Sequence, residues 1–202
     1  MTIIGITGIS GSGKTAAARI LADIGGFVVD ADPLAHELMK KGRHAYDEII
    51  DFFGTSILGT DGEIHRPALG KVVFEDNEKL SRLEAIIHPK VITKTMELIE
   101  DARNEGYSFA VIDAPLLIEA GMDKYCDSTW LITANHETKI KRIMKRDNIT
   151  RDVAAKRLAS RQGDEALKPH VHIVIENNND FADLAVRVKS ALETTLQMSR
   201  YF

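Results

Sequence analysis

The chain has 202 residues, of which 44% are hydrophobic and 28% are charged, and its formal net charge at pH 7 is −4. These values are typical of one globular α/β domain with a smaller appendage, and the negative charge argues against broad nucleic-acid affinity. The single cysteine, Cys126, excludes an internal disulfide and a cysteine-built zinc site, and we expect it to be a buried, small apolar residue. No run of about eighteen apolar residues and no leader pattern occurs, so we expect a cytoplasmic protein with no membrane segment.

Five short stretches have the composition and spacing of strands in an α/β sheet: Thr2–Thr7, Phe27–Asp30, Phe109–Asp113, Ser128–Thr133 and His172–Glu176. Helical patterns separate them, which predicts a parallel sheet with right-handed crossovers. Outside the stretch from Asp32 to Gly106, helices are predicted over Ala16–Leu21, His136–Arg146, Arg151–Arg161 and Phe181–Leu196. Thr150 is the expected N-cap of the third of these.

The second crossover, from Asp32 to Gly106, is long and predicts an all-helical insertion that caps a substrate site. Its predicted helices are Leu34–Lys40, Ala45–Phe53, Pro67–Phe74, Asn77–Ile87 and Lys90–Arg103, with a turn at Thr60–Glu63. The last two are predicted to be separate because Pro89 disfavours helix at the preceding residue.

The first predicted strand leads directly into Gly8–Thr15, which reads GISGSGKT. This matches the pattern of a phosphate loop, in which glycines let backbone N–H groups turn towards a polyphosphate at a helix N-terminus. Lys14 is then expected to contact the β- and γ-phosphates, and the Thr15 hydroxyl to bind Mg²⁺. The alternative is a glycine-rich turn with no ligand, which the flanking strand and helix disfavour.

Three aspartates lie at the carboxyl ends of predicted strands, where open α/β sheets bind ligands. Asp30 ends the second predicted strand and Asp32 lies two residues further on, and Asp113 ends the third. A carboxylate there can accept the proton of an attacking hydroxyl or hold Mg²⁺ through water. Aspartate is also common in turns and at helix N-caps, so a capping role is an open alternative for each.

The segment from Lys139 to Lys168 carries ten Lys or Arg against four Asp or Glu, although the chain as a whole is acidic. Arg142 and Arg146 are one helical turn apart, and Arg157 and Arg161 repeat this spacing, so each pair shares a helix face. Arginines on a movable lid can neutralise the charge that develops during phosphoryl transfer. A solvated basic surface is the alternative interpretation.

Two further motifs are candidates for substrate contacts. His88-Pro89 lies between two predicted helices, where a structural turn is the simpler explanation. Pro115–Glu119, PLLIE, follows a strand end and is apolar enough to form a wall against a flat, adenine-like group. The other histidines show no ligand-like spacing, so no structural metal site is predicted.

Taken in order, these motifs resemble the dephospho-coenzyme A kinase family over nearly the whole chain. The resemblance rests on GISGSGKT, VVDADPLAHEL, HRPALGKVVFEDNEKLSRLEAIIHP, VIDAPLLIEAG, KRIMKRDNITRDVAAKRLASRQ and VIENN. It implies a P-loop kinase fold: a core over 1–31, 107–135 and 171–202, a helical substrate insertion over 32–106, and a lid over about 136–170. The implied reaction is ATP-dependent phosphorylation of the ribose 3′-hydroxyl of dephospho-coenzyme A, the final step of coenzyme A synthesis, with Mg²⁺ as cofactor.

The resemblance also implies residue roles. Asp32 would be the base or hydroxyl-orienting carboxylate, acting with Lys14 and Arg142 in catalysis. The substrate pocket would contain Asp32, His88, Pro89, Leu116, Leu117 and Glu119. The residues expected to bind ATP are Gly8, Gly11, Ser12, Gly13, Lys14, Thr15, Ala16, Arg142, Arg146 and Asn177.

The chain departs from the usual family pattern at a few positions. Ile9 and Ser10 replace Gly-Ile in the loop, Arg161 stands where the lid usually has glutamine, and His172 and Asn179 replace an aspartate and a glycine. The main alternative function is that of another small-molecule P-loop kinase. A nucleotide-binding switch protein is less favoured, because the sequence lacks the N-K-x-D motif with which GTPases recognise guanine. We expect small-molecule substrates only, and a monomer or weak homo-oligomer.

Overall fold

A computed structural model describes residues 1–159 and 163–198, so the predicted lid residue Arg161 lies outside the described residues. Its strands are β1 (Thr2–Thr7), β2 (Phe27–Asp30), β3 (Phe109–Asp113), β4 (Ser128–Thr133) and β5 (Ile173–Glu176). They form one five-stranded sheet in the order β2-β3-β1-β4-β5. β1 runs parallel to β3 and β4, and β5 runs parallel to β4, which confirms the predicted parallel sheet.

β1 is the central strand, and all six of its residues are buried. A strand that is covered on both faces needs a continuous apolar run instead of alternation, which explains its sequence. Gly5 stands in its middle because a Cβ there would lie 2.7 Å from both Leu117 Cδ2 and Cys126 Sγ. Cys126 itself is half-buried, so it is less enclosed than the buried cysteine expected from the sequence.

The described chain divides into two compact units. The first comprises Met1–Val29 and the chain from Ile99 onward. It contains the helices α1 (Lys14–Asp23), α6 (His136–Asp147), α7 (Arg151–Ala159), α8 (Asp164–Leu167) and α9 (Phe181–Met198), with short 3₁₀ turns at Met122–Tyr125 and Lys168–His170. α1 and α9 pack together on the sheet around side chains such as Ile4, Leu21 and Trp130.

The second compact unit is Asp30–Leu98. It is built from α2 (Ala31–Leu38), α3 (Tyr46–Phe53), a 3₁₀ turn at Thr55–Ile57, α4 (Arg66–Phe74) and most of α5 (Asn77–Asn104). It has its own apolar core, which includes Ile49, Ile57 and Ile86. The predicted all-helical character of this stretch is therefore confirmed, with one short antiparallel bridge between Leu58 and Ile64 around the predicted turn.

α5 is one continuous helix, so the predicted break at His88-Pro89 is wrong. Pro89 has no N–H, so the Ala85 carbonyl lacks its helical donor. This lost hydrogen bond is the reason that the sequence predicts a helix end here. Ile86 and Val91, on either side of the proline, are both buried. Their burial in the tertiary structure offsets the lost hydrogen bond, as is general for helices stabilised by packing.

α2 begins at Ala31, three residues before its predicted start. The Asp30 carboxylate accepts the N–H of Asp32 at 3.1 Å, which caps the helix. Pro33 is tolerated because it lies in the first turn, where its missing N–H has no intrahelical partner to lose. Asp32 therefore lies on the first turn of a helix.

No helix among residues 1–159 and 163–198 combines the length and apolar character that spanning a membrane requires.

Candidate active site

The phosphate-loop sequence forms the connection between β1 and α1, as predicted. Gly11 and Gly13 have φ values of 82° and 96°, a left-handed region that glycine adopts without strain. They also allow close approach: a Cβ on Gly11 would lie 2.7 Å from the Lys139 carbonyl oxygen, and one on Gly13 2.0 Å from Asn177 Nδ2. The loop geometry thus requires glycine at both positions.

Lys14 is the first residue of α1, and its ammonium pairs with the carboxylate of Asp113, the last residue of β3. The sheet brings them together because β1 and β3 are neighbours, with Ile6 opposite Asp113. The side chains are 13% and 2% exposed, respectively. A carboxylate this well buried requires a charged partner, and the Lys14 ammonium is that partner. Asp113 therefore contacts the phosphate loop directly as well as ending β3.

Arg142 and Asn177 hold the loop from the opposite side. Arg142 Nη1 donates to the carbonyl oxygens of Gly11 at 3.3 Å and Ser12 at 3.2 Å, and Arg142 Nη2 donates to Asn177 Oδ1 at 3.2 Å. Asn177 Nδ2 donates to the Ser12 carbonyl at 2.8 Å. Two residues that are far apart in sequence, one on α6 and one after β5, are therefore brought together at the loop.

Arg146 lies one helical turn after Arg142 and contacts the loop through Ser10, whose Oγ accepts from Nη2 at 3.2 Å. The same guanidinium pairs with Asp147, which also accepts from Arg157 Nη1 at 2.9 Å. Hydrogen bonding from Arg146 lowers the pKa of Asp147, and the same contact raises the pKa of Arg146. Both groups therefore stay charged near neutral pH.

Thr15 is the predicted Mg²⁺ ligand and the second residue of α1, where its side chain is exposed. Within the described ranges, no three His, Cys, Asp or Glu side chains cluster tightly enough to hold a metal by themselves. Mg²⁺ in kinases is usually held by one or two protein oxygens together with substrate phosphates. The exposed Thr15 hydroxyl, at the loop where the phosphates are expected, is one oxygen donor of that type and fits such an ion.

The helical unit contains four further residues to which the sequence assigns candidate roles: Asp30, Asp32, His88 and Pro89. Asp30 is a helix cap, which confirms the capping alternative for this residue, whereas the Asp32 carboxylate is exposed on the first turn of α2. His88 is half-buried within α5. Pro89 lines a groove of about 690 Å³, together with residues of α2, α3 and the segment between them, and with Lys90 and Lys94 of α5.

The apolar stretch after β3 forms consecutive turns. Leu117 is completely buried and packs at Gly5, so its side chain belongs to the core of the first unit. Leu116 is half-buried and Glu119 is exposed. Substrate contacts by these three residues remain predictions.

Comparison with known proteins decides the family. A family model described as Dephospho-CoA kinase matches residues 2–183. The chain belongs to the dephospho-CoA kinase family. A protein named Dephospho-CoA kinase from Fusobacterium nucleatum is 40% identical over 192 residues, which are 95% of this chain and 97% of the relative.

Solved structures give the same relationship. A dephospho-CoA kinase from Campylobacter jejuni superposes with a TM-score of 0.69 at 26% identity, covering 95% of each chain. The structure titled TT1252 from Thermus thermophilus has a TM-score of 0.81 at 31% identity and covers 96% of this chain and 97% of its own. The P-loop kinase fold expected from the sequence is therefore confirmed.

In this member of the dephospho-CoA kinase family, sequence reasoning missed one buried ion pair close to the loop. Lys139 on α6 pairs with Asp164 at the start of α8, and the Thr133 hydroxyl donates to the same carboxylate oxygen. Lys139 also packs with its backbone against Gly11. No local signal could have revealed the pair, because its members are 25 residues apart and each resembles a surface residue of an amphipathic helix.

Proposed function

We propose that this protein transfers the γ-phosphate of ATP to the ribose 3′-hydroxyl of dephospho-CoA. The observation that carries this proposal is the phosphate loop with its paired Lys14, in a chain that matches the dephospho-CoA kinase family model over residues 2–183. Phosphoryl transfer needs a loop of backbone donors, a lysine at the phosphates and further cations for the developing charge. Lys14, Arg142 and Arg146 supply these cations at one loop.

In the proposed reaction, the 3′-oxygen attacks the γ-phosphorus in line with the bond to the β,γ-bridging oxygen, which breaks to release ADP. Lys14 leaves Asp113 for the β- and γ-phosphates, and the loop N–H groups contact the same oxygens. Arg142 and Arg146 neutralise negative charge on the transferred group. Gly8, Gly11, Ser12, Gly13 and Ala16 complete the ATP contacts, with Asn177 beside them.

Asp32 is proposed to orient the 3′-hydroxyl and to accept its proton as the new bond to phosphorus forms. Its exposed carboxylate, held on the first turn of α2 by the Asp30 cap, is suited to this role. We further propose that His88, Pro89, Leu116 and Glu119 contact the acceptor, whereas Leu117, which was also expected to do so, is completely buried and supports this stretch from the core.

Thr15 would hold Mg²⁺, which when bound screens the phosphates from one another and from the attacking oxygen. The Asp113 carboxylate would take part through water once Lys14 has moved to the phosphates. We also propose a cytoplasmic location, a monomer or weak homo-oligomer, and small-molecule substrates only.

An assay of ADP release tests the proposed function, with Mg²⁺ and ATP present and with dephospho-CoA, adenosine, AMP or shikimate as acceptor. Turnover confined to dephospho-CoA, with a product identical to coenzyme A by mass and by phosphorus NMR, is the expected result. Lys14→Ala should weaken ATP binding and slow turnover, and it controls for contaminating kinases. Turnover on another acceptor would contradict the proposed substrate, and no turnover on any acceptor would contradict the kinase assignment.

A further inference from the structure

We propose that Asp147 is a positioning residue that orients Arg146 towards the phosphate loop, a role that rests on the function proposed above. Asp147 is the last residue of α6. Its carboxylate accepts hydrogen bonds from Arg146 and Arg157, and its proposed effect on the loop is transmitted through Arg146.

The contact with Arg146 has a defined geometry. Arg146 Nε donates to Asp147 Oδ1 at 2.7 Å, and Nη2 donates to Oδ2 at 3.0 Å, so the carboxylate takes one whole edge of the guanidinium. The same Nη2 donates to Ser10 Oγ in the loop at 3.2 Å. Two anchors therefore fix the plane of the guanidinium, which leaves the remaining N–H groups for an anion bound at the loop.

Arg157 reaches the same carboxylate from another helix. Its Nη1 donates to Asp147 Oδ2 at 2.9 Å from α7, whereas Arg146 comes from the last turn of α6. One acid thus joins two cations that would otherwise repel each other. The lowered pKa of Asp147 agrees with an acid that stays ionised between them.

Fold stability is a poor explanation for this cluster. The Arg146 and Arg157 side chains are 62% and 56% exposed, and exposed ion pairs contribute little to stability because water and salt screen them. Orientation has a larger effect on ligand binding. An arginine that is already confined to one rotamer loses less conformational entropy when it binds a phosphate.

The test compares steady-state kinetics of the full-length enzyme with those of Asp147→Asn. This variant keeps the shape but loses the charge and one of the two acceptor oxygens. We expect kcat/KM for ATP to fall by about tenfold, equivalent to about 1.4 kcal/mol, while KM for dephospho-CoA changes by less than about twofold. Glu100→Gln is the matched control, because exposed Glu100 accepts from Arg103 at 2.7 Å in α5. Both variants should melt within about 3 °C of the parent.

A double-mutant cycle with Arg146→Ala separates this role from the proposed ATP site. If Arg146→Ala leaves ATP kinetics unchanged, Arg146 is not part of the ATP site, and the site assignment fails with the role of Asp147. If Arg146→Ala impairs ATP use, Asp147→Asn should cost clearly less in that background than in the parent. Equal losses in both backgrounds, or an Asp147→Asn variant as active as Glu100→Gln, would overturn the positioning role alone. Asp147→Glu, which restores the charge, should retain more ATP efficiency than Asp147→Asn, and the reverse order would also overturn it.

Discussion

Removing the charge of Asp164 is expected to destabilise the protein strongly. Lys139 and Asp164 are only 5% and 9% exposed, so Asp164→Asn leaves a buried ammonium without a counter-charge while preserving the shape of the side chain. Breaking a buried pair in this way costs about 3–5 kcal/mol. For a domain of this size each kcal/mol corresponds to about 2–4 °C, so the melting temperature should fall by about 6–20 °C.

Replacing both charges should be far less harmful. Lys139→Met with Asp164→Leu removes two desolvated ions, a change that is often neutral or stabilising by about 1–4 kcal/mol. Within the described residues no group donates to Asp164 Oδ1, so the native pair also carries an unsatisfied acceptor. Against this gain, the Thr133 hydroxyl loses its acceptor at a cost of about 1–3 kcal/mol. The double variant should therefore lie near the parent in stability.

Calorimetry and urea unfolding of the parent, the single variants and the double variant measure these effects. Glu165→Gln is the matched control, because Glu165 forms an exposed pair with Lys168 in the same region and should change stability by less than about 1 kcal/mol. The reasoning would be refuted by an Asp164→Asn variant as stable as this control, or by a double variant that loses as much as the single one.

Three further changes test other residues. Asp32→Asn should lower the turnover rate by about 10² or more, since it removes proton acceptance and orientation; full activity in the ADP-release assay would exclude Asp32 from this role. Gly13→Ala should impair ATP turnover, because alanine at φ 96° is strained and its Cβ would lie 2.0 Å from an Asn177 nitrogen. Gly25→Ala has a similar φ of 92° but no atom within 4 Å of the new Cβ, so an equal kinetic loss there would contradict the steric argument. Burial raises the pKa of the Cys126 thiol to about 12, so iodoacetamide at about pH 8 should alkylate it more slowly in the native protein than in the unfolded protein; equal rates in the two states would contradict this.

Local signals in the sequence were sufficient to predict the strands and the phosphate loop. Four of the five strands have the predicted bounds, and β5 begins one residue later than predicted, at Ile173. Short buried strands between glycine-rich turns are identified by composition and length alone. The phosphate loop is equally local, because its glycines, Lys14 and the following helix are adjacent in the chain.

Helix boundaries depended on more than local preference. Proline disfavours helix wherever it occurs, and from the sequence Pro89 ends a helix. The folded chain instead buries Ile86 and Val91 on either side of it and continues α5 to Asn104. The burial of side chains against distant residues outweighs one lost backbone hydrogen bond, and a local window cannot contain that information.

The sequence by itself determined the fold class, the phosphate loop and the candidate arginines, because each of these is encoded by neighbouring residues. Only the tertiary structure decided which groups surround the loop. Asn177 meets Arg142 at Ser12, and Lys139 is neutralised by Asp164. These contacts join segments far apart in the chain, and their geometry is set by how the sheet and helices pack.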